Sequence, residues 1–325
     1  MKNSPVRIIA GPCSIDEQNI SEVHQIAELS VKGKPAIAGT RIVGLKSRTF
    51  IDISGNGMGM DYEAFMKNIA VLNSGGSSND FVIPPSVELA EKIHAKTGML
   101  IATEIMVPSV QLPSYNGKLN GALMPWNPSV NQLGWQVMQT AQFAANNNWV
   151  VGIKNGKWIG ESLDIVERKD YGSVSPMEKT WVGLAKYAGE YTKDVILIHR
   201  GVDVPEKGDF RNAVVHQLAK RAKQHSGAKL YFDPSHSYGP KMREDIVEAT
   251  IDALKMKIRE DEYLYDGVLI ESGTSQTDTE QHITISELRD MINEISSFRE
   301  LDSGKRMVTD INKEIRVEQL STGIV

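Results

Sequence analysis

The sequence predicts a single α/β domain, a (β/α)8 TIM barrel with a short C-terminal extension. Eight short apolar, β-branched runs alternate with longer helix-compatible stretches, the signature of a parallel α/β fold. Run after run also ends in a polar or charged side chain, as expected where a barrel builds its site at the C-terminal strand ends. At 325 residues the chain is long enough for one large domain. It shows no internal repeat and no second domain.

The first strand is expected at 6–10, running into Gly11-Pro12-Cys13, with a helix at 21–31. The second, 36–43, carries Arg41. The third, 99–105, follows a helix at 86–97 and carries Glu104. The fourth, 121–126, is the least regular, because Pro125 cannot donate to a ladder; a helix at 131–146 follows. The fifth, 149–154, ends in Lys154 and the sixth, 195–200, in Arg200, with helices at 175–189 and 210–224 behind them. The seventh, 229–233, ends in Asp233; after a helix at 242–257 the eighth, 267–271, ends in Glu271. Segments 54–59 and 74–80 are Gly/Ser-rich and read as loops. The polar stretch 155–180 reads as an insertion able to close over the barrel mouth. The barrel is assigned to 1–295 and the extension to 296–325, where 306–311 and 314–318 suggest a hairpin docking on the barrel or a neighbouring subunit.

Hydrophobic content of 41% and charged content of 24% are ordinary for a globular protein. A net charge of -5 argues against nucleic acid or an anionic membrane as partner, although phosphates can still bind locally. One cysteine cannot form an internal disulfide, which fits a reducing cytoplasm. The first residues lack an apolar signal segment, no run is long enough to span a membrane, and no N-terminal regulatory domain is expected.

Two constellations carry chemistry. Cys13, His236 and Glu271 follow or end three strands, and Asp278 lies on the loop after the eighth. Singly, Cys13 reads as a small buried hydrophobe, His236 as a structural histidine and Asp278 as a solvated loop residue. Glu271 is harder to dismiss, because a carboxylate ending an apolar strand is costly unless paired. Together they make a divalent-metal set suited to Mn²⁺, Fe²⁺, Co²⁺ or Zn²⁺ rather than Ca²⁺. The second constellation is cationic: Arg41, Lys46-Ser47-Arg48-Thr49, Lys154 and Arg200. Phosphate and carboxylate groups would satisfy it; the competing reading is salt bridges to Glu104 and Asp233. No glycine fingerprint for a nucleotide is present.

In order along the chain, Gly11-Pro12-Cys13-Ser14, Arg41 with Lys46-Ser47-Arg48-Thr49, Thr103-Glu104, Lys154-Asn155-Gly156, Arg200-Gly201, Asp233-Pro234-Ser235-His236 and Glu271 with Asp278 resemble the class I 3-deoxy-D-arabino-heptulosonate 7-phosphate (DAHP) synthases. The related 3-deoxy-manno-octulosonate 8-phosphate synthases are similar but differ at 46–49. The resemblance spans 7–286 and implies a metal-dependent transferase. It would condense phosphoenolpyruvate with erythrose 4-phosphate, the first step of the shikimate pathway to aromatic amino acids. It further implies Cys13, His236, Glu271 and Asp278 as metal ligands. Arg41 and Lys46 would face the carboxylate and reacting end of phosphoenolpyruvate, Lys154 and Arg200 its phosphate, and Arg48 and Thr49 the acceptor phosphate. Asp233 joins the substrate-binding set. Lys46 would protonate the new alkoxide or stabilise it electrostatically, Glu104 or a metal-bound hydroxide would activate water, and His199 is either a proton carrier or a histidine behind the site. A homodimer or homotetramer is implied.

Two departures stand out. Ser47 replaces a proline of the family. The family's Gly-Ala-Arg on the fourth strand reads Gly121-Ala122-Leu123, with no arginine between Arg48 and Arg168; either Lys157 or Lys118 substitutes, or the second phosphate group differs. The missing arginine and Trp126 leave open another acceptor, arabinose 5-phosphate or an amino sugar, and a non-catalytic phospho-ligand-binding relative.

Overall fold

A computed structural model describes residues 4–47, 57–160, 162–164, 168, 170–275 and 278–304. Its parallel strands are β1 (Arg7–Gly11), β2 (Gly39–Arg41), β3 (Leu100–Glu104), β4 (Leu123–Trp126), β5 (Val151–Lys154), β6 (Val195–His199), β7 (Lys229–Phe232) and β8 (Gly267–Glu271). Each pairs with the next, and β8 closes on β1 to make the expected (β/α)8 barrel. Each expected run holds one strand. Between β4 and β5 the register is a single pair, Trp126 with Gly152, the irregularity that Pro125 announces.

The helices are α1 (Ile20–Ala27), α2 (Tyr62–Asn73), α3 (Pro85–Thr97), α4 (Pro108–Gln111), α5 (Gly134–Asn147), α6 (Pro176–Gly189), α7 (His216–Ser226), α8 (Pro234–Tyr238), α9 (Ile246–Lys255) and α10 (Ile285–Phe298). Helix α2 was not expected; it buries little beyond Ala64 and Asn68, so its apolar period is faint. The helix expected from 210 begins only at His216, because Ala213 first bridges to Val202. Past α10, Val6 donates to the Glu300 carbonyl and receives the Asp302 N–H, both at 2.9 Å. Arg299 donates to the carbonyls of Ser4, Leu254 and Tyr265, holding residues 299–302 against β1. Residues 306–311 and 314–318 lie outside the described residues.

The two-residue period of the strands sorts side chains into two layers. Ile9, Val43, Ala102, Met124, Trp126, Ile196, Ile198, Tyr231 and Leu269 fill the barrel interior. Ile8, Leu123, Ile153, Leu197, Phe232 and Ile270 face the helices. Continuing the inward parity by one step puts Arg41, Glu104, Lys154, Arg200, Asp233 and Glu271 at the mouth. Trp126 fits there because its ladder partner is glycine: a Cβ on Gly152 would lie 2.9 Å from the Trp126 Cβ and 2.9 Å from Ile198 Cδ1. Gly152→Val should therefore destabilise the protein by about 1–3 kcal/mol through overpacking. Urea unfolding reads this as a lower midpoint at constant slope; an unchanged midpoint would show that the indole has room to yield.

Candidate active site

The site is organised by the turn after β7. Asp233 caps the one-turn helix α8, with Pro234 at its first position, where no N–H is needed. The Asp233 Oδ1 accepts both the backbone N–H of His236 (3.3 Å) and its ring Nδ1–H (3.0 Å). Ser235 Oγ accepts the Glu271 N–H at 2.9 Å, tying the turn to β8. A short polar motif thus orients two of the proposed ligands by ordinary capping.

Around it the mouth is a buried charge lattice. Arg41 Nη2 lies 2.9 Å from Glu271 Oε1, with side chains 1% and 0% exposed. Lys154 Nζ lies 3.0 Å from Asp233 Oδ2. Lys46 Nζ donates to Cys13 Sγ at 2.8 Å, and Asp278 Oδ2 is 3.4 Å from the same sulfur. Glu104 accepts the Ser47 N–H at 3.2 Å and the Trp126 Nε1–H at 3.3 Å. Arg200 Nη1 donates to Asn212 Oδ1 at 3.2 Å, and Asn212 donates to the His236 carbonyl. The salt-bridge reading thus holds for Lys154, while Arg200 bonds an amide.

Burial pushes the Cys13 thiol up to about 12, with the charge of Glu271 adding to it, so the sulfur is protonated at neutral pH without a metal. Burial also lowers His236 to about 4, against the pull of Asp233 and Glu271, leaving a neutral ring. Glu271 goes the other way: burial opposes its charge, but His236 when its ring is protonated, and Arg41 throughout, outweigh that and hold it well below the usual range.

The model of the DAHP synthetase I family matches residues 2–300. The chain belongs to this family. It is accordingly an enzyme, a transferase of the 3-deoxy-7-phosphoheptulonate synthase-like type. The DAHP synthase (phospho-2-dehydro-3-deoxyheptonate aldolase) of Thermotoga maritima shares its fold with a TM-score of 0.65 at 17% identity, covering 92% of this chain and 72% of that one. A truncated 3-deoxy-D-arabino-heptulosonate 7-phosphate synthase from the same organism aligns with a TM-score of 0.61 at 17% identity, covering 92% and 90%. No curated protein sequence matches the chain.

Several expectations change on this DAHP synthetase I barrel. Gly121-Ala122 is not the remnant of a mouth motif: Gly121 donates to the Asn147 carbonyl at the end of α5, at the opposite end of β4 from the site. Lys118 sits there too, paired with Glu91 at 2.8 Å, and cannot replace a mouth arginine. Lys157, at the rim, is 3.4 Å from Asp203. What occupies the β4 tip is Trp126, its ring 5.6 Å from the Arg41 guanidinium and 5.3 Å from Lys154 Nζ. Arg48 and Thr49 lie outside the described residues.

His199 is not brought into the mouth. It shares parity with Val195 and Leu197, so it faces the helix layer, where its Nδ1 lies 2.8 Å from Tyr265 Oη. His216 Nδ1 shares that hydroxyl at 2.8 Å. Burial lowers His199 to about 3, with His216 adding to it, and His216 to about 4. Both folded values lie below the unfolded one of about 6.5. Their contribution to stability is therefore complete above pH 6.5 and lost as pH falls towards 4. Each should add up to about 1.4 kcal/mol per pH unit to the slope of unfolding free energy. Unfolding series between pH 7 and 4.5 on wild type and His216→Gln check this; equal slopes would mean the rings protonate without unfolding.

Residues to which the sequence assigned no individual role tie the mouth together. Asn155 accepts the Arg200 N–H and donates to the Gly201 carbonyl, both at 2.8 Å, joining β5 to β6. Gly201, at φ +77°, has no room for a Cβ, which would meet the Asn212 carbonyl oxygen at 2.5 Å. Arg211 Nη1 lies 3.4 Å from Asp278 Oδ1, and Asp278 itself takes a left-handed backbone, φ 54°. Gln281 donates to Glu271, and His282 stands beside it.

Proposed function

We propose that this mouth condenses phosphoenolpyruvate with a phosphorylated aldose, erythrose 4-phosphate foremost, releasing inorganic phosphate and forming a DAHP-type sugar acid. The observation that carries the reading is the set of buried cations. Arg41, Lys46, Lys154 and Arg200 are each at most 7% exposed, and Arg41 Nε and Nη1 have no hydrogen-bond partner. Buried guanidinium N–H groups without acceptors call for an anion.

Arg41 would take the carboxylate of phosphoenolpyruvate, and Lys154 and Arg200 its phosphate, with the indole of Trp126 as the wall between. Lys46 would deliver a proton from Nζ to the alkoxide oxygen formed when the enol methylene adds to the aldehyde. Glu104, held ionised because Lys46 and Lys154 outweigh the cost of its burial, would take the proton of the water that adds to the enol carbon. The leaving phosphate stays with Lys154 and Arg200. Cys13, His236, Glu271 and Asp278 would hold a divalent ion (Mn²⁺, Fe²⁺, Co²⁺ or Zn²⁺), whose contribution is to polarise the aldehyde oxygen. Support for such an ion comes from Cys13 and Glu271, whose ligand atoms lie within 4.8 Å of each other and of a His282 ring nitrogen, and from buried acceptor atoms left without donors.

The β4 tip favours keeping a second acceptor in view, since a tryptophan stands where a cation was expected. We also propose a cytoplasmic homo-oligomer. Among the described residues no helix is long and apolar enough to cross a membrane, and Val130, Leu133, Trp135 and Trp158 expose apolar surface. The deciding experiment is phosphate release from phosphoenolpyruvate by chelator-stripped and Mn²⁺-reloaded protein across erythrose 4-phosphate, arabinose 5-phosphate and unphosphorylated sugars. Release with erythrose 4-phosphate, lost in Cys13→Ala, is expected. Release with another sugar alone would replace the acceptor, and none with any sugar would sink the reaction.

A further inference from the structure

We propose that His282 is a direct metal ligand, so that this chain holds its ion with two imidazoles rather than one. The inference rests on the metal-dependent reading above and adds a residue to it. His282 follows the turn Thr279–Gln281 and is 5% exposed. Its Nδ1 is 3.0 Å from the Gly273 carbonyl oxygen. A carbonyl only accepts, so Nδ1 carries the proton and Nε2 presents a lone pair. That Nε2 is buried, has no hydrogen-bond partner, and lies 3.7 Å from Glu271 Oε2.

His236 repeats the arrangement on the other side. Its Nδ1–H goes to Asp233, and its Nε2 lies 3.7 Å from Glu271 Oε1. Two imidazole nitrogens therefore flank the two oxygens of one carboxylate, whose Oε1 meets Arg41 and whose Oε2 accepts from Gln281. The buried His282 lone pair is left without a donor, a cost that a cation within its reach would relieve. The Cys13 sulfur, a Glu271 oxygen and a His282 ring nitrogen all fall within 4.8 Å of one another. Ligand bonds of about 2.0–2.3 Å let one ion reach donors spaced at roughly that range after small adjustments. Each ring also has its other nitrogen fixed by a carboxylate or carbonyl, the second contact that sets the ligating tautomer.

The test is a Co²⁺ titration of chelator-stripped protein, wild type and His282→Gln, against a competing chelator. Affinity and the visible cobalt bands are read without any turnover. In the variant, affinity should fall about 10–100-fold, the loss typical of disturbed ligand shells, and the visible bands should change. The thiolate-to-cobalt band should persist through Cys13. A variant that binds within about threefold of wild type with unchanged bands would overturn the proposal, as would a wild type that binds no cobalt. Should His282→Gln fail to fold, proton NMR of the cobalt-loaded wild type decides. Two strongly shifted ring N–H signals are expected, one from each histidine; a single one would overturn it. Cobalt binding through His282 without phosphate release would discard the reaction and keep the ligand. Phosphate release with an unaffected variant would do the reverse.

Discussion

Glu271→Gln should cost the metal-free protein about 3–5 kcal/mol of stability, the range found when one partner of a buried ion pair is removed. Glu271 is fully buried and meets Arg41 Nη2 at 2.9 Å. Arg41 is itself 1% exposed, and two of its three nitrogens already lack acceptors. Without the carboxylate a buried guanidinium keeps its charge and loses its counter-charge. Urea unfolding should show the midpoint falling with an unchanged slope. A loss below about 1 kcal/mol would mean that Arg41 finds a new acceptor, with Asp233 and Glu104 the other carboxylates whose charge acts on it. The double replacement Arg41→Met with Glu271→Met should recover most of the loss, because apolar side chains remove both desolvation costs. If the double variant is stable yet inactive, the pair is kept for its chemistry rather than for folding.

The strand ends were legible because a barrel strand is a short apolar run and its last inward residue is polar. The parity that places Glu104, Arg200, Asp233 and Glu271 in the mouth could also have excluded His199, since it stands one residue from Ile198 and Arg200 alike. Its neighbour Arg200 is the residue that faces the mouth, and adjacency in a strand means opposite faces. The fourth strand differs for another reason. Gly121-Ala122 matches the family's pattern by residue type, while the ladder pairs Glu104 with Trp126 and so makes Trp126 the tip. Helix α2 and the capping of α8 by Asp233 follow from contacts of Asn68 and His236 that no periodicity reveals. His282 was hidden because a lone histidine after a polar loop has no signal until a carboxylate is seen across from it.

Divalent metal should strengthen phosphoenolpyruvate binding by roughly tenfold or more, within the span of about 5–150-fold typical of coupled sites. Among the described residues the mouth carries five cations, Arg41, Lys46, Lys154, Arg200 and Arg211, and four carboxylates, Glu104, Asp233, Glu271 and Asp278. Cys13 is a thiol and His236 is neutral, so the mouth is one charge positive before any ligand arrives. A substrate anionic at both ends carries more negative charge than that. A divalent ion that displaced the Cys13 proton would leave the mouth two charges positive, and by drawing on Glu271 would free Arg41 towards a carboxylate. Because the groups are buried, salt screens this coupling weakly. Calorimetry with and without Mn²⁺ measures it, and linkage demands that phosphoenolpyruvate raise metal affinity by the same factor. Metal titrations in two buffers of different ionisation enthalpy should also show close to one proton released per ion. Equal phosphoenolpyruvate affinity with and without metal would mean that Arg41 already stands free, contrary to its 2.9 Å contact with Glu271.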